Sequence, residues 1–155
     1  MPDEITRLLQ NGHDTIVRNW AEKVSNDRRV RSDAGLTYLQ LIDHVPEIVE
    51  ELRGALDGGE RPGAQMLHEG QKHGRMRWKQ GYELKEVVRE LTLLRATLVE
   101  FLETYQRALS RHGASDVVKS YNRIAGFMDE EIYRTVEAYL EAHRDSVRPN
   151  GDSVN

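Results

Sequence analysis

The chain has 155 residues, 38% hydrophobic and 31% charged, with four prolines and no cysteine. That is enough for one compact helix-rich domain and too little for two comfortable ones. The lack of cysteine excludes disulfide frameworks, thiolate nucleophiles and cysteine-ligated zinc or iron–sulfur centres. Together with an N-terminus that carries Asp3 and Glu4 and no leader pattern, it points to the cytoplasm. A net charge of −4 gives no electrostatic ground for nucleic-acid binding, and no apolar run approaches the roughly 18 residues of a membrane span.

Asp3 is placed to cap a first helix that runs to about Asn26 and buries Ile5, Leu9, Ile16, Trp20 and Val24. His13 shares that side and reads as a satisfied core histidine. Apolar periodicity stops between Asn26 and Asp33, where Arg28, Arg29 and Arg31 form a solvated basic loop and Ser32 or Asp33 caps the second helical segment. Periodicity restarts with Tyr38, Leu41, Val45, Ile48, Val49, Leu52 and Leu56. Pro46 interrupts it, giving either a kink or a short helix to Ile42 followed by one capped by Asp43. The run Asp57-Gly-Gly-Glu-Arg-Pro-Gly63 is a flexible break.

A helix from about Pro62 to Gln80 then presents an unusual inner face. Met66, Leu67, Gly70, His73, Gly74, Arg77, Trp78 and Gly81 share a sector about 140° wide. Glycines cost a helix interior about 1 kcal/mol each against alanine, so their presence predicts close approach of another backbone, here that of the following helix. That helix starts after Gly81-Tyr82 and carries the seam Leu84, Val87, Leu91, Leu94, Leu98, Leu102, Tyr105 and Leu109, ending at Gly113. Glu90 and Arg95 flank the seam. Either they are solvated and snorkelling, or they join His73 and Arg77 in a buried polar network beside the glycine contact.

The last helix begins at Ser115 or Asp116 and runs to His143. One apolar line holds Val117, Tyr121, Ile124, Met128, Ile132, Val136 and Tyr139; a second holds Val118, Ala125, Tyr133 and Leu140. Two lines are broad enough for two neighbours, the domain's own core and the same helix of a second subunit. Tyr121, Ile124, Met128, Ile132, Val136 and Tyr139 are the expected homodimer interface. Residues 1–143 thus form the domain, and 144–155 a flexible tail or linker.

Chemistry is sparse. No phosphate loop, Gly-x-Ser-x-Gly or nucleotide-binding glycine motif occurs, and Glu50-Glu51 and Glu130-Glu131 read as solvated faces. One helix offers at most two ligands from His68, Glu69 and His73, so no metal site is expected. A helical chain of this length with a core-facing histidine is similar to the globin-coupled sensors. There, however, Arg77 stands about where the haem-ligating histidine belongs, with His73 one turn earlier. No cofactor is therefore expected, and a haem-binding gas sensor remains the alternative.

His73-Gly-Arg-Met-Arg77, Gly81-Tyr-Glu-Leu84, Val87-Val-Arg-Glu90 and Leu93-Leu-Arg95 together resemble the RsbRD N-terminal domain family, with Trp20 and the Pro46 segment also fitting. The resemblance implies an all-α, globin-like bundle of five or six helices without haem. Such domains stand at the N-terminus of stressosome co-antagonists, sensor histidine kinases and transcriptional regulators. It further implies a dimeric, non-catalytic input domain that passes a signal through its last helix to an output domain or regulatory protein. The chain itself ends at Asn155 without an output domain, so it is either an excised sensor or a free-standing scaffold. The signal-responsive candidates are His73, Arg77, Glu90, Arg95, Gly70 and Gly74.

Overall fold

The computed structural model describes residues 4–58 and 68–148, and every regular element among them is helical. Five long helices form one bundle: α1 (Glu4–Asn26), α3 (Val45–Gly58), α4 (His68–Lys79), α5 (Leu84–Thr104) and α7 (Ala114–Val147). Two short ones, α2 (Tyr38–Ile42) and α6 (Gln106–Leu109), connect them. No described helix is long and apolar enough to cross a membrane. The proposed break at 59–63, and the start of α4 with Met66 and Leu67, lie outside the described residues.

α1 buries the five residues its periodicity selects. It lies against α3 and α5, while α4 lies against α7 and α3, and α5 bridges α1 and α7. Trp20 anchors α1 on α5, its indole Nε1–H donating to the Glu90 carbonyl at 2.8 Å. His13 is half-buried and 2.8 Å from the Pro46 carbonyl, a satisfied ring as expected.

The loop after α1 departs from the expected capping. Neither Ser32 nor Asp33 caps the next helix. Thr37 does, its hydroxyl accepting from the Gln40 N–H at 3.2 Å while its own N–H donates to the Gln40 side chain at 2.9 Å. Ser32 is drawn instead to the start of α5. There the Glu86 carboxylate accepts from the N–H groups of Arg31, Ser32 and Glu83 and from the Ser32 hydroxyl, at 2.7–3.0 Å. Burial works against that charge, but the four donors outweigh it and hold Glu86 down at about 2.

The chain takes the two-helix alternative around Pro46, which sits in the first turn of α3, where a missing N–H costs nothing. Asp43 is not the N-cap of α3. It closes α2 with φ +42°, an unusual conformation for a non-glycine residue, and its carboxylate is engaged elsewhere. α4 ends in a Schellman turn, with Tyr82 N–H on the Arg77 carbonyl at 3.0 Å and Gly81 N–H on that of Trp78 at 3.1 Å. Gly81 there adopts φ +84° with no atom within 4 Å of a would-be Cβ, so the cost of a side chain is backbone strain alone. Gly81→Ala is expected to lower the unfolding free energy by about 1–2 kcal/mol in a urea titration.

The seam helix is shorter than its periodicity suggests. α5 stops at Thr104, Tyr105 breaks the ladder, and α6 with a 3-10 turn over Ser110–His112 carries the chain to Gly113. Leu109 still reaches the core while Tyr105 is left half in solvent against Phe101, because the break rotates the seam between them. At the other end α7 continues to Val147, so the first residues assigned to a tail are helical; the remainder, from residue 149, is outside the described part.

Candidate functional site

Arg77 is fully buried on α4, and all five of its N–H donors are used. Nε donates to Glu90 Oε1 at 2.7 Å and Nη2 to Glu90 Oε2 at 3.2 Å, a bidentate pairing across α4 and α5. Nη1 donates to Gln80 Oε1 at 2.6 Å and to the Gln40 carbonyl at 3.1 Å, while Nη2 also reaches the Leu41 carbonyl. The Tyr82 ring covers the guanidinium at 4.6 Å from its centroid. Burial and then the Glu90 charge push the Tyr82 hydroxyl up, and it has no hydrogen-bond partner among the described residues.

His73 completes the cluster, also fully buried. Its Nδ1 lies 3.0 Å from Asp43 Oδ2, where an N–H on Nδ1 donates to that carboxylate, and its Nε2 lies 3.5 Å from Glu90 Oε1. Burial raises the Asp43 carboxyl, but the His73 hydrogen bond and the charges of His73, His44 and Arg77 outweigh it, and the group stays below the usual carboxylate range. One arginine therefore stitches the C-terminal end of α2, the end of α4 and the middle of α5, and one histidine adds the α2–α3 turn. The carboxylates of Asp43 and Glu90 confront the single permanent cation Arg77.

The expected set is not brought together whole. His73, Arg77 and Glu90 meet, whereas Arg95 is 43% exposed and pairs at 3.1 Å with Asp129 of α7, itself 65% exposed. Two members had no signal in the sequence: Asp43 and Gln40 are 30 and 37 residues from the partners they contact. The glycine contact also faces another way. Gly70 and Gly74 meet α7, not α5: a Cβ on Gly74 would stand 2.3 Å from the Thr135 carbonyl oxygen, and the Thr135 hydroxyl donates to the Gly70 carbonyl at 3.0 Å. Gly81 takes no part.

Glu131 is the larger correction. It is fully buried and faces Gly70, although its neighbour Glu130 is exposed. Its place was readable, since Ile124, Met128, Glu131, Thr135 and Ala138 recur at steps of 4, 3, 4 and 3 and form the true inner line of α7. The line expected at a dimer interface is divided by this rotation. Ile124 and Met128 lie in the chain's own core, while Tyr121, Ile132, Val136 and Tyr139 are half-buried, with the Tyr139 hydroxyl donating to the Tyr82 carbonyl at 2.6 Å. The apolar residues left facing out are Val118, Tyr133, Leu140 and Val147, the last three at heptad spacing.

Among the described residues no group of three or more His, Asp or Glu side chains is placed to hold a metal. Glu69 pairs with His44 at 3.5 Å and Lys72 at 3.2 Å rather than with His73. Haem does not fit at His73 as the chain is packed, because the ring is fully buried and its Nε2, the nitrogen that Asp43 leaves free, faces the Glu90 carboxylate at 3.5 Å, where an iron and porphyrin face would have to be.

Neither the curated proteins nor the solved structures contain a match to this chain. A family match spans residues 14–151, covering α1 from Asp14 through the whole of α7 and thus every group in the Arg77 cluster and the α4–α7 contact. The chain belongs to the RsbT co-antagonist protein rsbRD N-terminal domain family.

Proposed function

We propose that the chain is a non-catalytic sensory or regulatory input domain of a bacterial signalling protein, either a stressosome-type regulator or a sensor histidine kinase, working in the cytoplasm as a homodimer. The signal acts at the cluster of His73, Arg77, Glu90 and Asp43. It leaves through α7, which would pair with its copy and bias an output domain or regulatory partner. The observation that carries this reading is the connection between the two. α4 holds Arg77 and His73 toward α2 and α5, and on its other side Gly74 lies directly on the backbone of α7 while Gly70 lies against the Glu131 and Thr135 side chains of that helix. A shift of α4 by a fraction of an ångström therefore moves α7, since close-packed contacts transmit displacement rather than absorb it.

The outer face of α7 suits a second copy. Tyr133, Leu140 and Val147 are 58%, 44% and 64% exposed and lie seven residues apart, and Gly126 continues the series with open space above it. Light scattering on the wild-type chain at tens of micromolar is expected to give a dimer, and Tyr133→Asp with Leu140→Asp a monomer of unchanged helicity. A monomeric wild type would remove the proposed output route.

A further inference from the structure

Two carboxyl groups that the Arg77 cluster does not use converge on the first turn of α4. Glu51 of α3 accepts the Glu69 N–H on Oε1 at 2.7 Å, capping that turn. Glu131 of α7 comes down on the next residue, its Oε2 occupying the space a Gly70 side chain would need. Oε2 of Glu51 and both oxygens of Glu131 are buried without a hydrogen-bond partner among the described residues. Three buried acceptor atoms brought together lack one thing, a donor. Among the described residues no third ligand stands with these two to hold a metal.

We propose that Glu51 and Glu131 form a proton-binding site at the α3–α4–α7 junction, one proton being shared between them, and that its loss weakens the seating of α7 on α4. With the proton on Glu131, its O–H donates to Glu51 Oε2. Glu51 remains an anion at the positive end of the α4 helix, where a negative charge is favoured. Without it, two buried carboxylates repel each other across the α4–α7 contact.

The surroundings reinforce the effect. Burial first, then the charges of Glu51 and Glu69, push the Glu131 carboxyl up to about 9. Burial likewise raises Glu51, opposed by the Glu69 N–H and by Lys72. Of the other ionic groups on the packed elements, Glu69 is engaged by His44 and Lys72. Arg134 of α7 engages Glu130 and Glu137, and the cationic contact of α5 with α7, Arg95, goes to Asp129. None of these described cations engages Glu131. Because the folded chain holds this proton more tightly than the unfolded one, its contribution to stability is complete below the ordinary value of 4.5. It is lost progressively as pH rises toward about 9.

The site lies on the α4–α7 contact that the proposed signal would use, but it does not rest on that reading and is tested on the fold alone. Side-chain carboxyl ¹³C NMR of the full chain, titrated across the neutral range, is expected to show a glutamate with a midpoint well above 6 that vanishes in Glu131→Gln. Thermal unfolding is expected to fall by roughly 5 °C or more between mildly acidic and mildly alkaline pH. Glu131→Gln, whose amide supplies the missing donor permanently, should flatten that slope and unfold above wild type on the alkaline side. Carboxyl midpoints all within the ordinary range, or a glutamine variant less stable than wild type at alkaline pH, would overturn the proposal. If Glu131→Gln does not fold, Glu51→Gln gives the same NMR readout, since Glu131 then loses its charged neighbour and its midpoint must drop. A monomeric wild type, which would count against the dimer, leaves all of these results unaffected.

Discussion

Arg77→Met is expected to destabilise the domain by about 3–5 kcal/mol, read as a fall in the urea midpoint at unchanged slope. The methionine fills similar volume, so a cavity is not the cause. The cause is Glu90, fully buried and bonded through both oxygens to this one guanidinium. The substitution also strips the Gln40 and Leu41 carbonyls at the end of α2 of their donors. A domain of this size has a total stability on the order of 5–15 kcal/mol, so the variant is expected to be partly unfolded at 37 °C. Arg77→Met with Glu90→Leu is expected to recover much of the loss, because replacing both members of a buried pair removes the abandoned charge. A single-variant loss below about 1 kcal/mol would mean that water reaches Glu90 and that the network is not sealed.

Gly74→Ala is expected to cost about 2 kcal/mol, although alanine is the better helix former by about 1 kcal/mol. The added methyl would stand 2.3 Å from the Thr135 carbonyl oxygen and 3.3 Å from the Ala138 Cβ. A backbone oxygen cannot step aside, so α4 and α7 must separate. Gly54 on α3 provides the internal control. Nothing lies within 4 Å of its would-be Cβ, and Gly54→Ala should raise stability by up to about 1 kcal/mol. Opposite signs for one chemical change would establish that proximity of α7, not helix propensity, keeps glycine at position 74. If proximity also carries signal, Gly74→Ala should blunt whatever response the Arg77 cluster drives at the end of α7.

Much of the bundle is legible in the pattern of apolar residues. The spacing of Ile5 through Val24 and of Leu84 through Leu102 places α1 and α5 correctly, because each has one covered face and solvent on the other. α7 defeats the same reasoning. It carries two apolar lines instead of one, and its buried line contains Glu131 and Thr135, which composition assigns to the surface. The flank position of Glu90 and Arg95 is likewise ambiguous on paper, since both margins of a seam look alike. One of them finds Arg77 and is buried, and the other finds Asp129 and stays wet.

The sequence by itself determined the helical class, the residues that recur on each helical face, the family motif around His73–Arg95, and the need for some backbone to approach the glycines of α4. Tertiary structure alone decided which backbone that is, which side of α7 turns inward, and which carboxylates meet Arg77 and His73. The physical reason is that periodicity fixes which side chains share a face but carries nothing about what covers it. A buried charge is tolerated only where a partner arrives from a distant segment. Asp43 reaches His73 from 30 residues away, and Glu51 and Glu131 meet at α4 from opposite sides of it in the chain.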